Sequence, residues 1–152
     1  MEQGGTQTRG KAGWLFWIIG GVGLIWNGIG TVLWGGTSFM PDTFLEGQPA
    51  AYVDYVSNLP SWIGLTWGLG VLGGVAGSIL LLLRNKLAVP VFALSLFGAA
   101  ANQAAYITNP PPEGFLNLPL VGFIIVSAVF LLFFSVSMKR RGVLRERGEG
   151  RD

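Results

Sequence analysis

Pro60-Ser61-Trp62-Ile63-Gly64-Leu65-Thr66-Trp67-Gly68-Leu69-Gly70-Val71-Leu72-Gly73-Gly74-Val75-Ala76-Gly77-Ser78, continued by Ile79 to Leu83, is the stretch whose reading decides the fold. In water, each glycine inside a helix is destabilising by roughly 0.5–1 kcal/mol relative to alanine, because it gives up more backbone entropy and adds no side-chain contact. In hydrocarbon every alternative leaves backbone amides unpaired at a far larger cost, so a helix persists despite its glycines. The glycines then acquire a use, since small residues let neighbouring helices approach closely. Gly64 and Gly68, Gly70 and Gly74, and Gly73 and Gly77 each stand four residues apart. The spacing predicts that residues 60–83 form the packing spine of a small membrane bundle.

Composition points the same way. The mean hydropathy is +0.53 and 12% of residues are charged, against about 25% in soluble domains. At 152 residues the chain is one domain, too short to carry a soluble catalytic module beside several spans. It contains no cysteine and no histidine, which removes disulfides, thiol chemistry, the usual haem and transition-metal ligands and the usual general base. The expectation is therefore a protein that is not an enzyme, with no cofactor and no metal site.

Three further apolar runs accompany the spine. The first, residues 14–35, follows a polar segment 1–13 carrying Arg9 and Lys11. It supplies the roughly 20 residues a span needs and exceeds the apolar core of a signal peptide, so it reads as a retained anchor helix. The third covers residues 87–108, with Pro90 in its first turn, and the fourth residues 116–138, with Pro119 near its start. Asn109-Pro110-Pro111-Pro112-Glu113-Gly114 separates these two as a rigid breaker. Between the first and second runs, Pro49-Ala50-Ala51-Tyr52-Val53-Asp54-Tyr55-Val56-Ser57 predicts a short amphipathic helix in the first outer loop, lying at the interface with Tyr52 and Tyr55 at headgroup level. Residues 139–152 read as a basic, glycine-punctuated cytoplasmic tail, frayed or disordered. The fold class is all-α: a polytopic four-helix transmembrane domain over residues 14–138.

Orientation follows from the basic residues. Arg9 and Lys11 precede the first helix, Arg84 and Lys86 join the second to the third, and the rest follow the fourth. The other two loops carry Asp42, Glu46, Asp54 and Glu113 and no Lys or Arg. The positive-inside rule then predicts both termini in the cytoplasm. The computed pI near 9.3 belongs to this charge distribution and not to nucleic-acid binding, since no aromatic residues interleave with the basic tail.

Helical periodicity assigns inward faces. Gly13, Phe16, Gly20, Gly23, Asn27, Gly30 and Trp34 line one stripe of the first helix, and Thr66, Gly70, Gly73 and Gly77 one stripe of the second. Ser95, Ala99, Asn102 and Tyr106 do so in the third, while the fourth has no such stripe and reads as peripheral. Asn27, Thr66 and Asn102 fall at similar distances below the outer ends of their helices. With Gln103 they form a candidate polar cluster, lidded by Trp62 and Tyr106. Such a cluster is either interhelical glue, or a pocket for a small solute. Trp34 reads as a residue of the outer aromatic belt, and the loop carboxylates as solvated charge. No ionisable residue lies mid-span, which speaks against a proton-driven pump.

Trp26-Asn27-Gly28-Ile29-Gly30, Leu59-Pro60-Ser61-Trp62, Leu80 to Ser95 through Arg84-Asn85-Lys86, and the closing Arg140-Arg141-Gly142-Val143-Leu144-Arg145 form a set. This set resembles a family of small four-helix bacterial inner-membrane proteins, many of which carry the name "sugar transporter". It departs from that family after the Trp26-Asn27 motif, where Thr31-Val32-Leu33-Trp34 replaces an acidic, aromatic segment. The resemblance implies a multi-pass protein of the bacterial inner membrane. Two functions stay open. One is a structural or accessory component of a membrane assembly, working with the lipid bilayer and a membrane-protein partner or a second copy. The other is a small-solute transporter acting as an oligomer.

Overall fold

A computed structural model of the chain describes residues 10–146. Six helices follow in order: α1 (Trp14–Phe39), α2 (Pro41–Phe44), α3 (Ala50–Ser57), α4 (Ser61–Leu82), α5 (Ala88–Thr108) and α6 (Leu118–Arg140). The helices α1, α4, α5 and α6 are each long and apolar enough to cross a membrane. The protein is thus all-α, a multi-pass bundle of four apolar helices.

Neighbouring helices run antiparallel. Along α1 and α4, Gly20 lies against Leu82, Gly23 against Ser78 and Gly30 against Val71. Along α4 and α5, Gly70 lies against Ala99, Gly73 against Ser95 and Gly77 against Phe92. The helix α6 packs on α5 and reaches α1 through long side chains: the rings of Phe16 and Phe134 are 6.2 Å apart, those of Trp26 and Phe123 4.9 Å. The start of α1, the α4–α5 turn and the end of α6 therefore share one end of the bundle, hereafter the basic end. The far end carries α2 and α3.

The α4 glycines serve two neighbours. Gly68 lies under the Trp34 ring and Gly74 under the Asn27 side chain, both from α1. Gly70, Gly73 and Gly77 face α5. Gly70 and Gly74 thus belong to different interfaces, whereas Gly73 and Gly77, at the same spacing, share one. Gly64 is the exception, with open space where a side chain would stand. The closest approach comes from the other side: a Cβ on Gly98 of α5 would stand 2.7 Å from the Gly70 amide nitrogen and 2.9 Å from the Thr66 carbonyl oxygen.

Two boundaries differ from the sequence reading. First, α1 does not end at Gly35 but runs to Phe39. Gly36 is covered by the Phe44 ring of α2, so α2 folds back on the last turn of α1 and supports it. Second, the segment after residue 138 is not a frayed tail within the described residues. The helix α6 continues to Arg140, and Val143 and Leu144 are 2% and 1% exposed, inside a cluster with Phe16, Leu81, Phe92 and Leu131. Residues 147–152, like residues 1–9 of the N-terminal segment, lie outside the described residues.

The helices α4 and α6 end in the same way. At α6, Val143 N donates to Met138 O and Gly142 N to Lys139 O, with Gly142 at φ 68°. At α4, Asn85 N donates to Leu80 O and Arg84 N to Leu81 O, with Arg84 at φ 57°. Both are Schellman caps, which place one residue in the left-handed region. Glycine does so freely, whereas a residue with a Cβ pays roughly 1–2 kcal/mol. Arg84 offsets that cost with its side chain, which donates from Nε to Val143 O and from Nη2 to Gly10 O, both at 3.1 Å. Arg145 N donates to Arg84 O and Lys86 N to Arg145 O. The two ends of the described chain are thereby tied to one turn.

The close approach of α4 and α5 predicts how leucine substitutions rank. Gly98→Leu and Gly73→Leu should each cost about 1–3 kcal/mol by overpacking. Gly21→Leu, where nothing lies within 4 Å of the added Cβ, should stay within about 0.5 kcal/mol of the parent. Thermal unfolding in detergent measures the order. Equal midpoints for all three would show that this contact does not hold the bundle together.

Candidate functional site

The proposed cluster divides in the structure. Asn27 stands at the middle of α1, its Oδ1 against Gly74 and its Nδ2 donating to Gly23 O at 2.8 Å. Asn102 of α5 donates to Ile63 O at 3.1 Å, and Thr66 donates to the same carbonyl at 2.9 Å. From residue 63 to residue 74, α4 climbs about 16 Å. Asn27 and Asn102 therefore do not share a height. The reason is the length of α1: its extra turn moves its far end away, and Asn27 drops to mid-bundle.

Other polar groups fill the same helix interfaces. Ser95 Oγ donates to Gly70 O at 2.6 Å across α5 and α4. Trp34 Nε1 donates to Gly64 O at 2.8 Å, so this ring belongs to the α1–α4 interface and not to an aromatic belt. Each of these donors meets a carbonyl on a glycine or next to one, where the backbone is uncovered. Two buried atoms have no partner among the described residues: Ser78 Oγ, on a side chain with no exposed surface, and Gln103 Oε1. The Gly77-Ser78 step next to the glycine stripe was the available signal for Ser78; the isolated Trp34 indole gave none.

The lid residues also separate. Trp62 is 46% exposed. Tyr106 is half-buried near Tyr52 and Tyr55, where α3 folds over the far end of α5. Tyr55 donates its hydroxyl to Asn109 O at 2.8 Å, and the Tyr52 and Phe115 rings stack at 4.7 Å. Burial raises the Tyr55 phenol above its ordinary value, with smaller contributions from the Tyr106 and Tyr52 phenols.

Among the described residues, no three metal-ligating side chains converge. The loop carboxylates Asp42, Glu46, Asp54 and Glu113 are exposed. The arrangement offers hydroxyls and amides that hold helices together at carbonyls. It defines a small multi-pass helix bundle with internal polar ties. Comparison of the chain with protein-family models, curated proteins and solved structures finds no match.

Two measurements follow from this geometry. Asn27→Leu and Asn102→Leu sit at separate contacts, so their stability effects should add to within about 0.5 kcal/mol; a larger coupling in a detergent double-mutant cycle would reunite them. For the far end, the raised Tyr55 value means that its contribution is complete below the unfolded phenol value of about 10 and is lost as pH rises through the higher folded one. The protection of amides 50–57, taken relative to the base-catalysed intrinsic exchange rate, should fall over that range. The Tyr55→Phe variant should be less protected at neutral pH and show little further loss of protection on alkalinisation; an unchanged protection profile would place the titration elsewhere.

Proposed function

We propose that the protein is a structural or accessory component of a membrane assembly, without catalytic chemistry of its own. The observation that carries this reading is where the interfacial donors go. Asn102, Ser95 and Trp34 each donate to a backbone carbonyl of the adjoining helix. Side chains committed to neighbouring carbonyls act as interhelical ties, each worth about 0.6 kcal/mol on average in a membrane. The partner in this reading is another membrane protein or a second copy, received on the lipid-facing surfaces.

A second reading is favoured by one observation. Ser78 Oγ and Gln103 Oε1 are buried polar atoms without partners among the described residues, and such atoms are costly unless something meets them. A small-solute carrier, acting as an oligomer, would use them, in keeping with the resemblance to proteins named as sugar transporters. We place both readings in a bacterial inner membrane with the basic end in the cytoplasm, because the basic residues collect there.

Purification in mild detergent separates the two. A stable stoichiometric membrane-protein partner, or a stable homo-oligomer inactive in liposomes, is expected for the accessory role. Solute accumulation by the reconstituted protein alone would replace it with the carrier. Sidedness is tested on this naturally cysteine-free chain: Gln48→Cys and Glu113→Cys should react in intact cells with an impermeant thiol reagent, and Lys139→Cys should not. The reverse labelling would invert the orientation.

A further inference from the structure

The strap that returns from α6 gathers like charge. Seven described basic residues stand at one end: Lys11, Arg84, Lys86, Lys139, Arg140, Arg141 and Arg145. Backbone bonds bring Arg145 onto Arg84 and Lys86, residues about sixty positions away in the chain. Gly10 lies against the Arg141 carbonyl and accepts from Arg84, which draws the start of the described chain into the same patch. Among the described residues at this end the single carboxylate is Glu146, which pairs with Lys86 at 3.4 Å. The Arg84 guanidinium meets two neutral carbonyls and no carboxylate, using two of its five donors.

Among the described residues, Glu146 is the one carboxylate set against these seven basic side chains. The carbonyl ends of α4 and α6 are at the basic end, but so are the amide ends of α1 and α5, so the helix dipoles offset each other. The four loop carboxylates, Asp42, Glu46, Asp54 and Glu113, belong to the opposite end. Clustering like charges is unfavourable unless an anion joins them. Lys139, Arg140 and Arg141 stand at the end of an apolar helix long enough to span a membrane, where the phosphates of a bilayer would meet them. A surface of this sign and depth matches an anionic leaflet.

We propose that the basic end is a binding surface for the phosphate headgroups of anionic phospholipids, built around the Arg84 turn and the Arg141–Arg145 strap. Two parts act differently. The exposed Lys139, Arg140 and Arg141 supply attraction, and the Arg84 guanidinium, held by Val143 and Gly10, supplies fixed donors. Phospholipid at this surface neutralises the patch and secures the strap against the α4–α5 turn. The proposal is independent of the choice between accessory component and carrier.

The test uses the full chain in nanodiscs of phosphatidylcholine alone, or of phosphatidylcholine mixed with phosphatidylglycerol. The unfolding midpoint is followed by tryptophan fluorescence. Phosphatidylglycerol should raise the midpoint by several degrees at low salt. The gain should vanish at about 1 M salt, where the screening length is about 3 Å. The Arg140→Gln/Arg141→Gln/Arg145→Gln variant should lose at least half of it. Should that variant not fold, Lys139→Gln with Arg140→Gln leaves the strap intact and should still reduce the gain. Equal midpoints in the two lipids would overturn the proposal, as would a full gain in the folded variant. A full gain from inorganic phosphate in phosphatidylcholine nanodiscs would replace the lipid with a soluble anion and overturn it equally.

Discussion

Gly98 stands so close to α4 that a single added carbon would collide with the Gly70 amide and the Thr66 carbonyl. The rest of the bundle depends on that approach. Lipid tails are as apolar as leucine, so burial of apolar area does not drive these helices together; dispersion at short range and interhelical hydrogen bonds do. Both fall off within an ångström or so of separation. Ser95 reaches Gly70 O at 2.6 Å because the two backbones are this close. The Asn102 bond to Ile63 O, two turns further along α4, uses the same proximity.

On the other side of α4 the space is filled differently. There the glycines Gly68 and Gly74 accept large side chains from α1, the Trp34 ring and the Asn27 amide. One helix thus offers two kinds of surface, a backbone-to-backbone contact with α5 and a set of sockets for α1. The helix α6 joins through Leu131, Phe134 and Phe123, whose length spans a wider gap. These different separations explain why α6 needs no small-residue stripe.

The basic end is closed by the chain's own strap. Val143 and Leu144 complete the apolar cluster at that mouth, while the carbonyl of Val143 accepts from Arg84. A left-handed arginine is thereby made useful: its backbone ends α4, and its side chain binds the segments at Val143 and Gly10. At the far end the closure is aromatic, with Tyr52 on Phe115 and Tyr55 on Asn109 O.

The four apolar spans and the gathering of basic residues into alternate connections were legible in the sequence, because hydrocarbon forces backbone pairing and span length to be written locally. Glycine spacing likewise announced close packing along residues 60–83. Which neighbour each glycine meets was not legible, since Gly70 and Gly74 separate only once α5 and α1 take opposite sides of α4. Nor was the depth of Asn27, which depends on an extra turn of α1 held by Phe44, a residue beyond the span. The strap needed tertiary structure most of all. Val143 and Leu144 sit among arginines and glycines that read as tail, and they become core only when the α4–α5 turn presents a surface about sixty residues away in sequence to receive them.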